Sequence, residues 1–196
     1  MPCTLIRLAG CPLRCNYCDT LQAISTDSGS WMAIDDIIAD AAARARPLVL
    51  VTGGEPLAQR HVIELLQRLL DTGCIVQLET AGAYSVAGVP AGVRRIVDVK
   101  TPGSGEAELN RLDNLPLLGG GDEIKFVLTS RDDYEWARRL LREHHLGDSD
   151  AVILFSPAWG QLQASDLCVW VLEDHLPVRV QLQMHKTIWG AEVEGV

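Results

Sequence analysis

The sequence predicts an α/β fold in which mostly parallel strands, joined by right-handed helical crossovers, curl into a partial or closed (β/α) barrel. Three observations point to it. Short runs rich in Val, Ile and Leu recur at residues 3–8, 48–52, 75–79, 94–99, 123–128, 151–155 and 178–182, the pattern of strands buried on both faces. Stretches with helical spacing lie between several of these runs. The residues able to do chemistry collect just after the strands, the rim where such folds bind ligands.

The first run leads into Gly10-Cys11. In IDDIIADAAARAR, residues 34–46, apolar Ile34, Ile37, Ile38 and Ala41 recur at helical spacing. The second run passes into Thr52-Gly53-Gly54-Glu55-Pro56, whose two glycines either let backbone approach a ligand or simply turn the strand into a helix. HVIELLQRLLDTG, residues 61–73, closes with Gly73 in the position of a helix C-cap. Strand three enters Glu79-Thr80-Ala81-Gly82, and strand four enters Asp98-Val99-Lys100-Thr101. RDDYEWARRLLREHHLG, residues 131–147, opens with acids, closes with bases and stops at Gly147, as the helix dipole prefers. Strand six runs into Ser156-Pro157, and strand seven ends near Gln183, His185 and Lys186. These polar ends line one mouth.

Composition sets the class. A chain of 196 residues, 47% hydrophobic, is one domain's worth of material, residues 1–196, with a sizeable core. No apolar run approaches the length that crosses a bilayer, so membrane insertion is not expected. A net charge of −9 opposes tight binding to a phosphate backbone, which leaves any nucleic-acid connection indirect. Six cysteines without an export signal predict a reducing cytoplasm. Cys3, Cys74 and Cys168 read as buried thiols acting as small apolar residues.

The densest chemistry is GCPLRCNYC, which places Cys11, Cys15 and Cys18 within eight residues. Three thiolates cannot close a four-ligand site. A cubane iron–sulfur cluster held by three Cys leaves one iron open to bind and reduce a small molecule. Structural zinc is the alternative, but it prefers four protein ligands, and no second CxxC is present. Downstream, Asp19-Thr20 offers oxygen donors of the kind hard cations prefer, or else an ordinary turn or cap. Arg7, on the first strand, carries a guanidinium fork suited to a planar carboxylate, or forms a surface ion pair.

CxxxCxxC, with Tyr17 just before the last Cys, resembles the cluster loop of the radical S-adenosyl-L-methionine (SAM) superfamily, and VTGGEPL resembles its GGEP element. Within that superfamily the chain is similar to the 7-carboxy-7-deazaguanine synthases over nearly its whole length. IRLAGCPLRCNYCDT, VTGGEPL, QLETAG, VDVKTPGSG, DEIKFV, LFSPAWGQL and VRVQLQMHKTIWG carry that similarity. The resemblance implies a partial barrel of the radical SAM type and a lyase that converts 6-carboxy-5,6,7,8-tetrahydropterin to 7-carboxy-7-deazaguanine and ammonia in queuosine biosynthesis. It implies a [4Fe-4S] cluster on Cys11, Cys15 and Cys18, SAM held by Gly54, Asp98, Val99, Lys100, Tyr17 and Ser156, and Mg2+ on Thr20 with Asp19 in support. Substrate falls to Arg7, Thr52 and Glu79. Many relatives carry Ser-Pro-Lys where this chain has Asp98-Val99-Lys100, so only Lys100 matches there by identity. An amino-terminal Leu-Gln-Gly-Glu-Gly segment of relatives has no counterpart before Cys3. The resemblance further implies a homodimer with a contact around Trp189, and an electron donor such as flavodoxin or ferredoxin. The competing readings are an activase of a glycyl-radical enzyme and a non-catalytic iron–sulfur or zinc-binding module.

Overall fold

Alternation along a strand assigns each side chain to a face, and the apolar runs here alternate between full and partial burial. A computed structural model describes residues 1–191 and 193. Its seven strands are β1 (Cys3–Leu8), β2 (Leu48–Gly53), β3 (Ile75–Thr80), β4 (Arg94–Asp98), β5 (Glu123–Leu128), β6 (Val152–Pro157) and β7 (Arg179–Val180). All neighbours are parallel and lie in chain order. Among the described residues β1 and β7 each have one neighbour, so the barrel they form is partial rather than closed.

On the outer face Val49, Val51, Val76, Leu78, Ile124, Phe126 and Leu128 are wholly buried under the helices. Side chains in register across a parallel ladder share a face, so Arg7 with Thr52, Glu79 with Ile96, Asp98 with Lys125, and Val127 with Ser156 all face inward. The carboxyl half of the inner face is therefore polar.

The helices are α1 (Ile34–Ala43), α2 (Val62–Asp71), α3 (Arg131–Glu143), α4 (Ala164–Glu173) and α5 (Met184–Trp189). α2 buries Val62, Leu65, Leu66 and Leu69 at helical spacing, and Gly73 follows it in the left-handed region at φ 83°. α3 is capped by the Ser130 hydroxyl, which accepts from the Asp133 N–H, and it carries Asp132 and Asp133 in its first turn. Its Tyr134 ring meets Phe155 of β6 edge-on at 5.9 Å, and Phe155 meets Phe126 of β5 at 5.5 Å.

Four expectations need correction. α3 stops at Glu143, short of Gly147, because His145 turns left-handed at φ 51° and residues 146–148 form a separate 3₁₀ turn. α1 ends at Ala43, short of Arg46, with Ala45 left-handed at φ 49°. β7 is only two residues long, Arg179 and Val180 alone pairing with β6, and the chain then enters α5. Cys3 and Cys168 are exposed and Cys74 is half-buried. Cys3 opens an edge strand on its inner side, and Cys168 lies off the α4 stripe formed by Leu167 and Val171.

Candidate active site

The loop leaving β1 is held by backbone. Gly10, at φ 101°, donates to the Ala23 carbonyl at 2.8 Å, and Cys11 donates to Ile24 at 3.0 Å. Across the mouth the loop rests on the segment after β4. Asn16 donates its backbone N–H to Ser104 at 3.1 Å and its amide to the Gly103 carbonyl at 2.5 Å, while the Arg14 N–H donates to Glu106. Gly103 is fixed in turn by Asp133, whose carboxylate accepts from the Gly103 N–H at 2.7 Å and from the Thr129 N–H and hydroxyl. A methyl group on Gly103 would sit 2.2 Å from the Thr129 hydroxyl, so only glycine passes there.

Cys11, Cys15 and Cys18 are half-buried and free. Burial pushes the Cys11 and Cys15 thiols above their ordinary range, and Lys100 pulls both back. Among the described residues no group of three or more His, Cys, Asp or Glu side chains is placed to hold a single metal ion. Three thiols on one loop fit a polynuclear cluster with a corner left open.

At the end of β2 the two glycines have a backbone reason to exist. A Cβ on Gly53 would lie 2.1 Å from the Leu8 carbonyl oxygen, and one on Gly54 would lie 2.2 Å from that of Gly10. The Gly54 N–H instead donates to Leu8 and the Glu55 N–H to Gly10, both at 2.8 Å, which carries the β1–β2 pairing into the mouth. Glu55 is fully buried and accepts from the Leu57 N–H, the Thr80 hydroxyl and the Ala81 N–H at 2.7–2.8 Å. Burial raises its carboxyl above the ordinary range, and those three donors only partly offset this. Glu55 thereby ties the end of β2 to the end of β3.

Two ion pairs line the inner face. Lys100 Nζ meets Asp98 at 2.7 Å and stands 5.7 Å from the centre of the Tyr17 ring, and Lys125 pairs with Glu79 across β4. Burial alone would push both ammonium groups down, but Asp98 beside Lys100 and Glu79 beside Lys125 hold them above their ordinary values. Lys100 is also clamped through its backbone by the Asn110 amide, at 2.7 and 2.8 Å. Asp98 Oδ1 and the Tyr17 hydroxyl are buried without a hydrogen-bond partner among the described residues. Such orphans cost about 1–3 kcal/mol each, so they mark where ligand atoms fit. Val99 points the other way: its side chain is in the outer core and its N–H donates to the Lys125 carbonyl at 2.7 Å. Ser156 is buried on β6.

Arg7 is exposed, with Nη1 3.4 Å from the Thr20 hydroxyl. That hydroxyl donates to Asp19 Oδ1 at 3.0 Å, while Gln183 Nε2 donates to Asp19 Oδ2 at 2.6 Å. Burial opposes ionisation of Asp19, but the Thr20 hydrogen bond and the charges of Lys186, Lys125 and His185 hold its carboxyl below the usual range. Thr52, half-buried, sits beside Arg7 in register. A cavity of about 470 Å³ between residues 91–95 and 117–122 lies at the opposite rim, around the Arg95–Asp122 pair. Sequence reasoning does not single out Lys125, Asn110 or Asp133. For Lys125 the signal was present, as a lysine alternating inward between Ile124 and Phe126.

The chain matches the model of the Radical SAM superfamily over residues 5–103. It is 43% identical over 210 residues to the 7-carboxy-7-deazaguanine synthase of Koribacter versatilis, covering 100% of this chain and 92% of the relative. To the synthase of Chlorobaculum tepidum it is 42% identical over 198 residues, covering 100% and 89%. The chain belongs to the 7-carboxy-7-deazaguanine synthase family. Its fold is shared with SuiB of Streptococcus suis solved with S-adenosylmethionine, at TM-score 0.64 and 12% identity over 99% of this chain and 53% of that one. Membership of the radical SAM superfamily implies a [4Fe-4S] cluster and SAM, and the free thiols and unpaired oxygens around Tyr17 and Asp98 fit both.

Proposed function

We propose that this chain is a radical SAM lyase that converts 6-carboxy-5,6,7,8-tetrahydropterin to 7-carboxy-7-deazaguanine and ammonia on the route to 7-deazapurines such as queuosine. The observation that carries this reading is a trio of free thiols on the loop that also carries Tyr17, whose hydroxyl is buried and unpartnered among the described residues like Asp98 Oδ1, in a chain 43% identical along its whole length to a relative of that name.

Cys11, Cys15 and Cys18 would hold the cluster, and Tyr17, Gly54, Asp98, Lys100, Ser156 and the backbone of Val99 would hold SAM. Bound together, cluster and SAM supply a carbon-centred radical able to take hydrogen from the substrate. The chain's own residues do the positioning. Arg7 offers a two-pronged donor to the pterin carboxylate, and Thr52 offers a hydroxyl beside it. Glu79 presents an acceptor to the N–H edge of the pterin, and its ion pair with Lys125 aims that carboxylate. Thr20 and ionised Asp19 form an oxygen donor pair suited to Mg2+, which keeps its remaining places for water or substrate oxygens.

The reading extends to a single radical SAM domain, to a flavodoxin or ferredoxin as electron donor, and to a homodimer working in the cytoplasm. Exposed Leu182, Met184, Ile188 and Trp189 support the dimer contact. The test is anaerobic reconstitution with iron and sulfide, followed by SAM, reductant, Mg2+ and carboxytetrahydropterin, with products followed by mass. Formation of the deazaguanine with loss of ammonia is the expected result. SAM cleavage without pterin turnover would assign the radical to another substrate.

A further inference from the structure

We propose that Lys186, on α5, competes with the divalent cation for Asp19, so that cation occupancy beside Thr20 and docking of α5 on the cysteine loop oppose one another. This rests on the reading of Thr20 and Asp19 as the cation pair. The two oxygens of Asp19 face two different parts of the chain. Oδ1 accepts from the Thr20 hydroxyl at 3.0 Å, whereas Oδ2 accepts from Gln183 Nε2 at 2.6 Å and lies 3.7 Å from Lys186 Nζ. Lys186 is turned inward, with 11% of its side chain exposed, although Met184, Ile188 and Trp189 on the same helix are 60–66% exposed. Among the described residues Asp19 is the one carboxylate within 4.0 Å of its ammonium.

A carboxylate already facing an ammonium attracts a second cation less strongly. Gln183 is neutral and fills Oδ2 without that conflict. Gln183 therefore orients Asp19 whatever sits beside Thr20, while Lys186 sets how strongly a cation is drawn there. Linkage makes the effect reciprocal: if Lys186 weakens cation binding, the cation must weaken the hold of Lys186, and so of α5, by the same factor.

The probe is Mn2+, titrated into anaerobically reconstituted protein and followed by its paramagnetic resonance, with the oxidised cluster silent. Lys186→Met and Lys186→Gln should bind Mn2+ about two- to five-fold more tightly than wild type, the size expected of a half-screened ion pair. Lys186→Arg should stay near wild type, and Gln183→Leu should bring no tightening. Loss of a merely structural contact would move affinity the other way. In wild type, saturating Mn2+ should speed amide exchange across residues 184–189, a measurement that needs no variant. Mn2+ affinity that is unchanged or weaker in both Lys186→Met and Lys186→Gln, with Thr20→Val still reducing binding, overturns the competition and leaves the cation pair standing. No Mn2+ binding by wild type, or none lost in Thr20→Val, overturns both.

Discussion

On β3, Val76 and Leu78 are wholly buried under the helices, while Gln77 and Glu79 between and beyond them look inward, where Glu79 meets Lys125. β5 repeats the arrangement, with Ile124 and Phe126 in the outer core and Glu123 and Lys125 on the inner side. One face removes apolar area from water and stabilises the fold. The other holds charges in place by opposing them, at the rim where ligands bind. Because the period is two, a strand can carry both tasks without either residue set touching the other. Stability and chemistry should therefore separate under mutation.

Cys15→Ala tests that separation most severely. Iron content after reconstitution should fall to background while far-UV circular dichroism and thermal midpoint of the metal-free protein stay at wild type; a collapsed fold would break the comparison. Phe126→Ala should do the reverse, costing about 3–5 kcal/mol in chemical denaturation while the protein that remains folded takes up iron in the wild-type ratio. Asp122→Asn comes next, at the amino rim, where Asp122 accepts from the backbone and side chain of Arg95 and from the Gly119 N–H. Burial opposes ionisation of Asp122, yet Arg95 and these donors hold its carboxyl below the ordinary range. Its contribution is then full above the unfolded carboxylate pKa and is lost as pH falls through the depressed value. The variant should lose about 1–3 kcal/mol near neutrality, and its gap to wild type should close in acid. Leu172→Gln, on the outward side of α4 with 74% exposure, should change stability by less than about 0.5 kcal/mol.

The strands were legible because each is a short Val, Ile and Leu run ending in polar residues, and that same feature located the mouth. α4 was harder to read. Leu167, Cys168, Val169, Trp170, Val171 and Leu172 form an unbroken apolar run with no period, and no side chain caps its start. The alternation of VRVQLQ predicts a strand over 178–182, whereas only Arg179 and Val180 pair with β6. Among site residues, Cys11, Cys15, Cys18 and Thr20 stand out by spacing and neighbours. The partnership of Glu79 with Lys125 does not, since it reaches over β4 between residues 46 positions apart. Glu55 reads in the sequence as part of a ligand turn, and its bonds to Thr80 of β3 and to Ala81, 25 and 26 positions away, emerge only in three dimensions.

The unbroken order from β1 to β7 also bears on how the molecule is made. Each strand leaving the ribosome finds its partner in the strand synthesised just before it, so the nascent sheet grows at one advancing border and needs no insertion between strands already joined. The bond from Gln183 to Asp19, spanning 164 positions, and the approach of Lys186 to the same carboxylate wait until all seven strands have been made.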